Sequence, residues 1–107
     1  MIKKLDFGIQ CSFDAMGGRG EIRIHDASKS IQDLEQTCKS CIQEIERIEH
    51  KYSRYKGSSV ISQINLNSGI KSTPIDAETH GLLKFADELF KNSSGLFDIT
   101  SGILRKA

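Results

Sequence analysis

The sequence predicts an α+β fold, in which long helices pack on an antiparallel sheet. Two stretches near the N-terminus alternate apolar and polar residues around a glycine-rich link, which is typical of a β-hairpin. Two later stretches repeat apolar residues every three or four positions, as helices with one buried face do. We therefore expect one domain over residues 1–107, built from a small sheet and two long helices.

The bulk composition argues against some classes of function. The 107 residues carry 15 Lys+Arg against 14 Asp+Glu, and this balance gives no electrostatic case for binding nucleic acid or a membrane surface. No stretch is apolar for long enough to serve as a secretory signal or a membrane span. An odd number of cysteines, 3, fits a reducing compartment. These features predict a cytoplasmic protein.

The predicted hairpin has its first strand over residues 5–15 and its second over residues 21–25. The first strand places four residues on one face at period two, namely Phe7, Ile9, Cys11 and Phe13. The link over residues 16–20 reads Met-Gly-Gly-Arg-Gly. Its glycines can serve the turn alone. Alternatively, they can let backbone amides approach a phosphate, with Arg19 as the counter-charge.

The first long helix begins after an N-cap at Ser28 or Ser30. Its predicted buried stripe consists of Ile31, Leu34, Cys38, Cys41, Ile42, Ile45 and Ile48. Cys38 and Cys41 form a C-x-x-C spacing, but it lies in mid-helix, away from the N-terminal dipole that activates redox cysteines. No second cysteine or histidine pair completes a zinc set. We expect both cysteines to be buried and inert.

A loop over residues 52–59 separates this helix from a short one over residues 60–65, which Ser58 or Ser59 caps. The second long helix follows an N-cap at Asp76, and the stretch Asn92-Ser93-Ser94-Gly95 ends it, with glycine at the expected C-terminal position. Its predicted buried face consists of Thr79, Leu82, Leu83, Ala86, Leu89 and Phe90.

The stretch after that helix, residues 95–102, predicts an extended segment. Phe97 and Ile99 would share one face, which leaves Asp98 and Thr100 on the other. A carboxylate beside a hydroxyl can bind a polar ligand, and it can equally form the solvated face of an edge strand.

Three motifs occur in one order along the chain. They are Met16-Gly17-Gly18, then Tyr52-Ser53-Arg54-Tyr55 followed by Ser59, Ser62 and Asn65, then Gly95-Leu96-Phe97-Asp98-Ile99-Thr100. Together they resemble the N-terminal part of the ApbE-like flavin transferases, the FAD:protein FMN transferases. That family shows a Met-Gly-Thr start, a Ser-x-Tyr loop followed by Ser-x-x-Ser-x-x-Asn, and Gly-x-Phe-Asp-x-Thr. The resemblance covers nearly the whole chain.

The resemblance implies a T-fold-like antiparallel sheet covered by two long helices, incomplete relative to the family domain. It implies FAD as substrate and Mg²⁺ as cofactor, with FMN transferred to a Thr or Ser of a target flavoprotein. The positions carried over as FAD-binding are Met16, Tyr55, Leu96, Phe97 and Asp98. No catalytic residue and no metal ligand is assigned, because the resemblance places the Mg²⁺ ligands outside this chain.

Two residues depart from the family pattern: Gly18 stands in place of Thr, and Arg54 in place of a small residue. The chain is also much shorter than the family domain and stops at Arg105-Lys106-Ala107, inside an element expected to continue. We expect a fragment, a truncated product or half of a split protein, inactive alone and associating with itself or with a C-terminal half. The alternatives are a non-catalytic flavin-binding or interaction module, and a structural domain that retains the motifs by chance.

Overall fold

Three antiparallel strands and three helices follow one another along the chain. The computed structural model describes residues 1–101, so the element expected to continue past Arg105 lies outside the described residues. The elements are β1 (Ile2–Leu5), β2 (Gly8–Ala15), β3 (Gly18–His25), α1 (Ile31–Tyr52), α2 (Val60–Asn67) and α3 (Ala77–Asn92). The predicted α+β class is confirmed. The chain falls into two compact units, Met1–Ser72 and Thr73–Ala107.

The sheet has the order β1-β2-β3, with both pairings antiparallel. The prediction of one strand over residues 5–15 is wrong, because a turn at Asp6-Phe7 divides it and pairs β1 with β2. Phe7 therefore lies exposed in a turn and does not face the core. Sequence reasoning missed β1 because the charged pair at positions 3 and 4 hides any apolar alternation.

A two-residue turn, Met16-Gly17, joins β2 to β3. Both residues have positive φ, 54° and 75°, as a type I′ hairpin turn requires. The link between the two strands is thus shorter than the five residues predicted, since Gly18 and Gly20 already belong to β3. At the other end of this pairing, a Cβ atom at Gly8 would collide with the carbonyl oxygen of Ile24, so the two strands approach closely enough to require glycine.

Helix α1 packs on β2 and β3 to form the core of the first unit. Its N-cap is Ser30, one of the two predicted positions, whose hydroxyl accepts the N–H of Asp33 at 3.1 Å. The fully buried core residues are Ile9, Cys11, Leu34 and Cys38, and Ile22, Ile24, Ile31 and Ile42 pack around them. The prediction that Cys41 is buried is wrong. The position of a residue in a helix determines which way its side chain points, but the side chain is buried only where another element packs against it. The small sheet covers Cys38 but does not cover Cys41.

Helices α2 and α3 begin at predicted caps. Ser59 caps α2, and Asp76 caps α3 by accepting the N–H of Thr79 at 2.9 Å. On the predicted buried face of α3, Thr79 is buried, whereas Leu82 and Phe90 are exposed. None of the helices in residues 1–101 combines the length and the apolar character that a membrane crossing requires.

Helix α3 ends in a Schellman motif. The N–H of Gly95 donates to the carbonyl of Phe90 at 2.8 Å, and that of Ser94 to the carbonyl of Lys91 at 3.2 Å. Ser94 and Gly95 have left-handed φ values of 55° and 83°, so the left-handed conformation begins one residue before the predicted glycine. The extended segment expected after Gly95 is wrong: residues 99–101 form a single 3₁₀ turn.

Candidate functional site

Met16 occupies the first position of the β2–β3 turn. It is 65% exposed and has a left-handed backbone, which costs a non-glycine residue roughly 1–2 kcal/mol. Its N–H donates to the Glu49 carboxylate at 3.1 Å, across 33 positions of sequence. Glu49 lies in the last turn of α1, so this bond ties the hairpin turn to the C-terminal end of that helix.

Tyr55 lies in the loop between α1 and α2 and is 74% exposed. Its backbone N–H donates to the Ser53 hydroxyl at 3.2 Å. The guanidinium carbon of Arg54 lies 4.8 Å from the centre of the Tyr55 ring, and Nη2 of Arg54 donates to the Tyr55 hydroxyl at 2.7 Å. The ring therefore offers an aromatic surface to solvent with a cation already against it.

The Ser59-x-x-Ser62 spacing explains how this loop is held. The Ser59 hydroxyl accepts the backbone N–H of Ser62 and donates to the Ser62 hydroxyl, both at 3.1 Å. The Ser62 hydroxyl in turn donates to the Lys56 carbonyl at 2.6 Å, which also accepts the N–H of Ser59 at 3.1 Å. Ser59 is buried. These two serines therefore support the loop that carries Tyr55 and were not among the predicted site residues.

An open groove of about 770 Å³ lies between the C-terminal half of α1 and this loop. Its lining consists of Gln43, Glu46, Arg47, Glu49, His50, Lys51, Lys56, Ser58 and Val60. Glu49 also binds the Met16 turn, and Lys56 directly follows Tyr55. The structure thus brings two of the three motifs to one end of α1, next to this groove, but neither Met16 nor Tyr55 lines it.

The groove carries both signs of charge. Lys56 and Lys51 contribute cations, and Glu46 and Glu49 contribute carboxylates. Glu46 and Glu49 lie outside the predicted buried stripe of α1, and the groove forms only when the following loop folds back along the helix. No local pattern would have identified it.

The third motif lies in the second unit, directly after α3. Leu96 is 92% exposed and Phe97 is 44% exposed. The N–H of Phe97 donates to the Ser93 hydroxyl at 2.8 Å, which fixes the chain direction after the helix. Asp98 Oδ1 accepts both the N–H of Thr100 at 2.8 Å and its hydroxyl at 2.6 Å. The hydroxyl bond and then the backbone bond hold the pKa of Asp98 below its usual value.

Asp26 and Ser28 repeat this arrangement after β3. Asp26 Oδ1 accepts the N–H of Ser28 at 2.9 Å and its hydroxyl at 2.6 Å, and the same two bonds lower the pKa of Asp26. The Asp98-x-Thr100 geometry is therefore turn chemistry that this chain also uses elsewhere. A ligand role for Asp98 stays a prediction, as do those of Met16, Tyr55, Leu96 and Phe97. Within residues 1–101, no group of three carboxylate, imidazole or thiol side chains could hold a metal ion.

The chain thus combines an α+β fold, three motifs in one order and a groove at one end of α1. The sequence model of the ApbE family matches residues 16–107, a range that begins at Met16 and includes all three motifs. The chain belongs to the ApbE family. No curated protein and no solved structure gives a significant match. The family supports a flavin-transferase-like function in general terms.

Proposed function

We propose that this chain binds FAD and takes part in transferring FMN to a Thr or Ser of a target flavoprotein. The observation that carries the proposal is the groove at the C-terminal end of α1 in a chain of the ApbE family. Lys56 and Ser58 of the Tyr55 loop line this groove, and its lining residue Glu49 accepts the Met16 N–H. In the proposed reaction, the target hydroxyl oxygen forms a bond to the FMN phosphorus while the pyrophosphate bridge of FAD breaks, and AMP leaves.

The proposed binding residues match the chemistry of the ligand. The Tyr55 ring and the Met16 thioether offer aromatic and polarizable surfaces to a flat flavin ring. Leu96 and Phe97 provide further exposed apolar surface. Asp98 is ionised at neutral pH, as its lowered pKa requires, and its carboxylate can accept hydrogen bonds from a ring edge or a sugar hydroxyl.

Mg²⁺ belongs to this proposal, with ligands from outside residues 1–101. Phosphoryl transfer depends on positioning and on neutralising the charge that develops, and a metal ion supplies the second of these. The described residues offer no set of ligands that fits the ion, so their proposed part is to bind and position FAD.

Titration of the chain with FAD, followed by flavin fluorescence, tests the binding part of the proposal. We expect Tyr55→Ala and Asp98→Ala each to weaken FAD binding, because a lost hydrogen bond or stacking contact costs on the order of 1 kcal/mol, or about fivefold in Kd. Lys39→Ala, on the exposed face of α1, is the control and should bind FAD as the unmodified chain does. Equal affinities for all variants would refute the assigned residues.

The transfer part needs a separate assay, in which the chain is incubated with FAD, Mg²⁺ and a target flavoprotein. Covalent flavin on the target, detected by mass, is the expected product in the presence of both FAD and Mg²⁺. FAD binding without any transfer under that condition would instead identify the chain as a flavin-binding or interaction module.

A further inference from the structure

Arg54 is placed differently from Arg23 and Arg47, two other arginines of the first unit. Arg23 pairs with Glu21 and Arg47 with Glu44. Within residues 1–101, Arg54 takes part in no ion pair, and its guanidinium lies on the Tyr55 ring. The charge of Arg54 is therefore held at a ring and is not neutralised by a carboxylate.

The loop holds the backbone of Arg54, whereas its exposed side chain contacts Tyr55 alone among the described residues. The Ser62 hydroxyl donates to the Lys56 carbonyl at 2.6 Å and approaches that of Arg54 at 3.4 Å, which fixes the chain on both sides of Tyr55. Both Arg54 and Tyr55 are exposed. A cation–π contact on an exposed ring and one hydrogen bond to the neutral Tyr55 hydroxyl hold the guanidinium there. A phosphate binds a guanidinium more strongly, because it accepts two parallel charge-assisted hydrogen bonds. A phosphate can therefore draw Arg54 away from the ring.

A flat ligand ring and the guanidinium compete for the Tyr55 ring face that Arg54 covers. A ligand with a phosphate gives the Arg54 guanidinium a stronger partner when it leaves the ring face. A ligand without a phosphate gives it none. We propose, on the basis of the function proposed above, that Arg54 is a specificity-determining residue that favours phosphorylated flavins over riboflavin.

The test compares riboflavin, FMN and FAD as ligands, because FMN carries a phosphate, FAD a pyrophosphate and riboflavin neither. Each is titrated by flavin fluorescence into the unmodified chain, Arg54→Ala, Arg54→Lys and Arg23→Ala. We expect the unmodified chain to bind FMN and FAD more tightly than riboflavin. Arg54→Ala should lose about tenfold in affinity for FMN and FAD, as the loss of charge-assisted hydrogen bonds implies. Its affinity for riboflavin should stay the same or rise, because the ring is uncovered.

Arg54→Lys keeps the charge but not the planar fork, so its preference for phosphorylated flavins should be intermediate. Raising the salt concentration should weaken FAD binding more in the unmodified chain than in Arg54→Ala. Arg23→Ala is the matched control, an exposed arginine on the outer face of the sheet, and should leave all three affinities unchanged. Circular dichroism and a thermal melt establish that each variant folds, and Arg54→Lys carries the test if Arg54→Ala does not.

The outcomes separate the two proposals. If the unmodified chain binds none of the three flavins, the proposed function fails and the role of Arg54 fails with it. If it binds FAD while the Arg54 variants keep the same ratio of FAD to riboflavin affinity, the role of Arg54 fails and the proposed function stands.

Discussion

Cys38 and Cys41 lie on the same face of α1 but differ in burial, and they therefore differ in thiol reactivity. Burial, followed by a hydrogen bond with the Cys11 thiol, raises the pKa of Cys38 to about 12, so its thiol stays protonated at neutral pH. Cys41, one helical turn further along the same face, is exposed. Thiolate chemistry in the native protein is therefore confined to the surface.

We predict that a thiol reagent at neutral pH labels Cys41 in the native protein, whereas Cys11 and Cys38 react only after unfolding. The absorbance of the released reagent group should show one thiol reacting in a fast phase. The other two thiols should react only after denaturant is added. Cys41→Ser should abolish the fast phase. Rapid native labelling of Cys38 would contradict the packing of α1 on β2.

A second residue-scale prediction concerns Asp98. Thr100→Val removes one of the two hydrogen bonds that lower its pKa, so this pKa should rise toward its ordinary value of 3.8. Because the folded pKa is depressed, the turn contributes stability above that ordinary value and loses it as the pH falls through the folded pKa. An NMR titration of the Asp98 carboxyl carbon measures the shift. Asp26, bound to Ser28 in the same way, is the internal control and should not change.

Among the elements, the loop between α1 and α2 depends on a pair of hydroxyls more than on packing. Ser59 caps the helix, and the Ser62 hydroxyl binds the loop carbonyls. The two serines of the family motif thus have a structural reason for their three-residue spacing, since the N-cap hydroxyl meets the first turn of the helix there.

We predict that Ser62→Ala lowers the free energy of unfolding by about 1 kcal/mol, the usual contribution of one hydrogen bond, and weakens FAD binding by releasing the Tyr55 loop. Denaturant unfolding and the FAD titration measure the two effects. Ser40→Ala is the control, because the Ser40 hydroxyl bonds only the Gln36 carbonyl inside α1 on an exposed face. A loss of the same size in Ser40→Ala would argue against a specific role for Ser62.

For the molecule as a whole, two features bear on self-association, namely exposed apolar surface and low net charge. Helix α3 exposes Leu82 and Phe85, which lie three positions apart on one face. The formal net charge is +1, so electrostatic repulsion between copies is weak. Both features favour self-association.

We predict that the chain associates with itself at high concentration and that Phe85→Glu shifts it toward monomer. Sedimentation velocity over a range of concentrations measures the change. Lys84→Ala, which lowers the net charge by the same amount as Phe85→Glu without reducing apolar surface, should not shift the chain toward monomer. A strictly monomeric, folded chain at high concentration would overturn the prediction.

Features that arise within a few neighbouring residues could be predicted from the sequence. The α+β class, the caps at Ser30, Ser59 and Asp76, and the end of α3 are of this kind. A cap hydrogen bond joins residues three apart, and helical periodicity spans only a few turns, so both are written in the local pattern. The family motifs could be recognised for the same reason, because each of them occupies a short stretch of sequence.

Features that depend on distant partners were decided by the tertiary structure alone. The exposure of Cys41 and the groove lining at the end of α1 are examples. The bond from Met16 to Glu49 joins residues 33 positions apart, and no local pattern specifies which carboxylate a turn amide will meet. Alternation predicted a strand at Phe97 and Ile99, but the two hydrogen bonds from Thr100 to Asp98 stabilise a turn there instead. Side-chain direction follows from local geometry, whereas burial and partnership depend on what the rest of the chain places opposite.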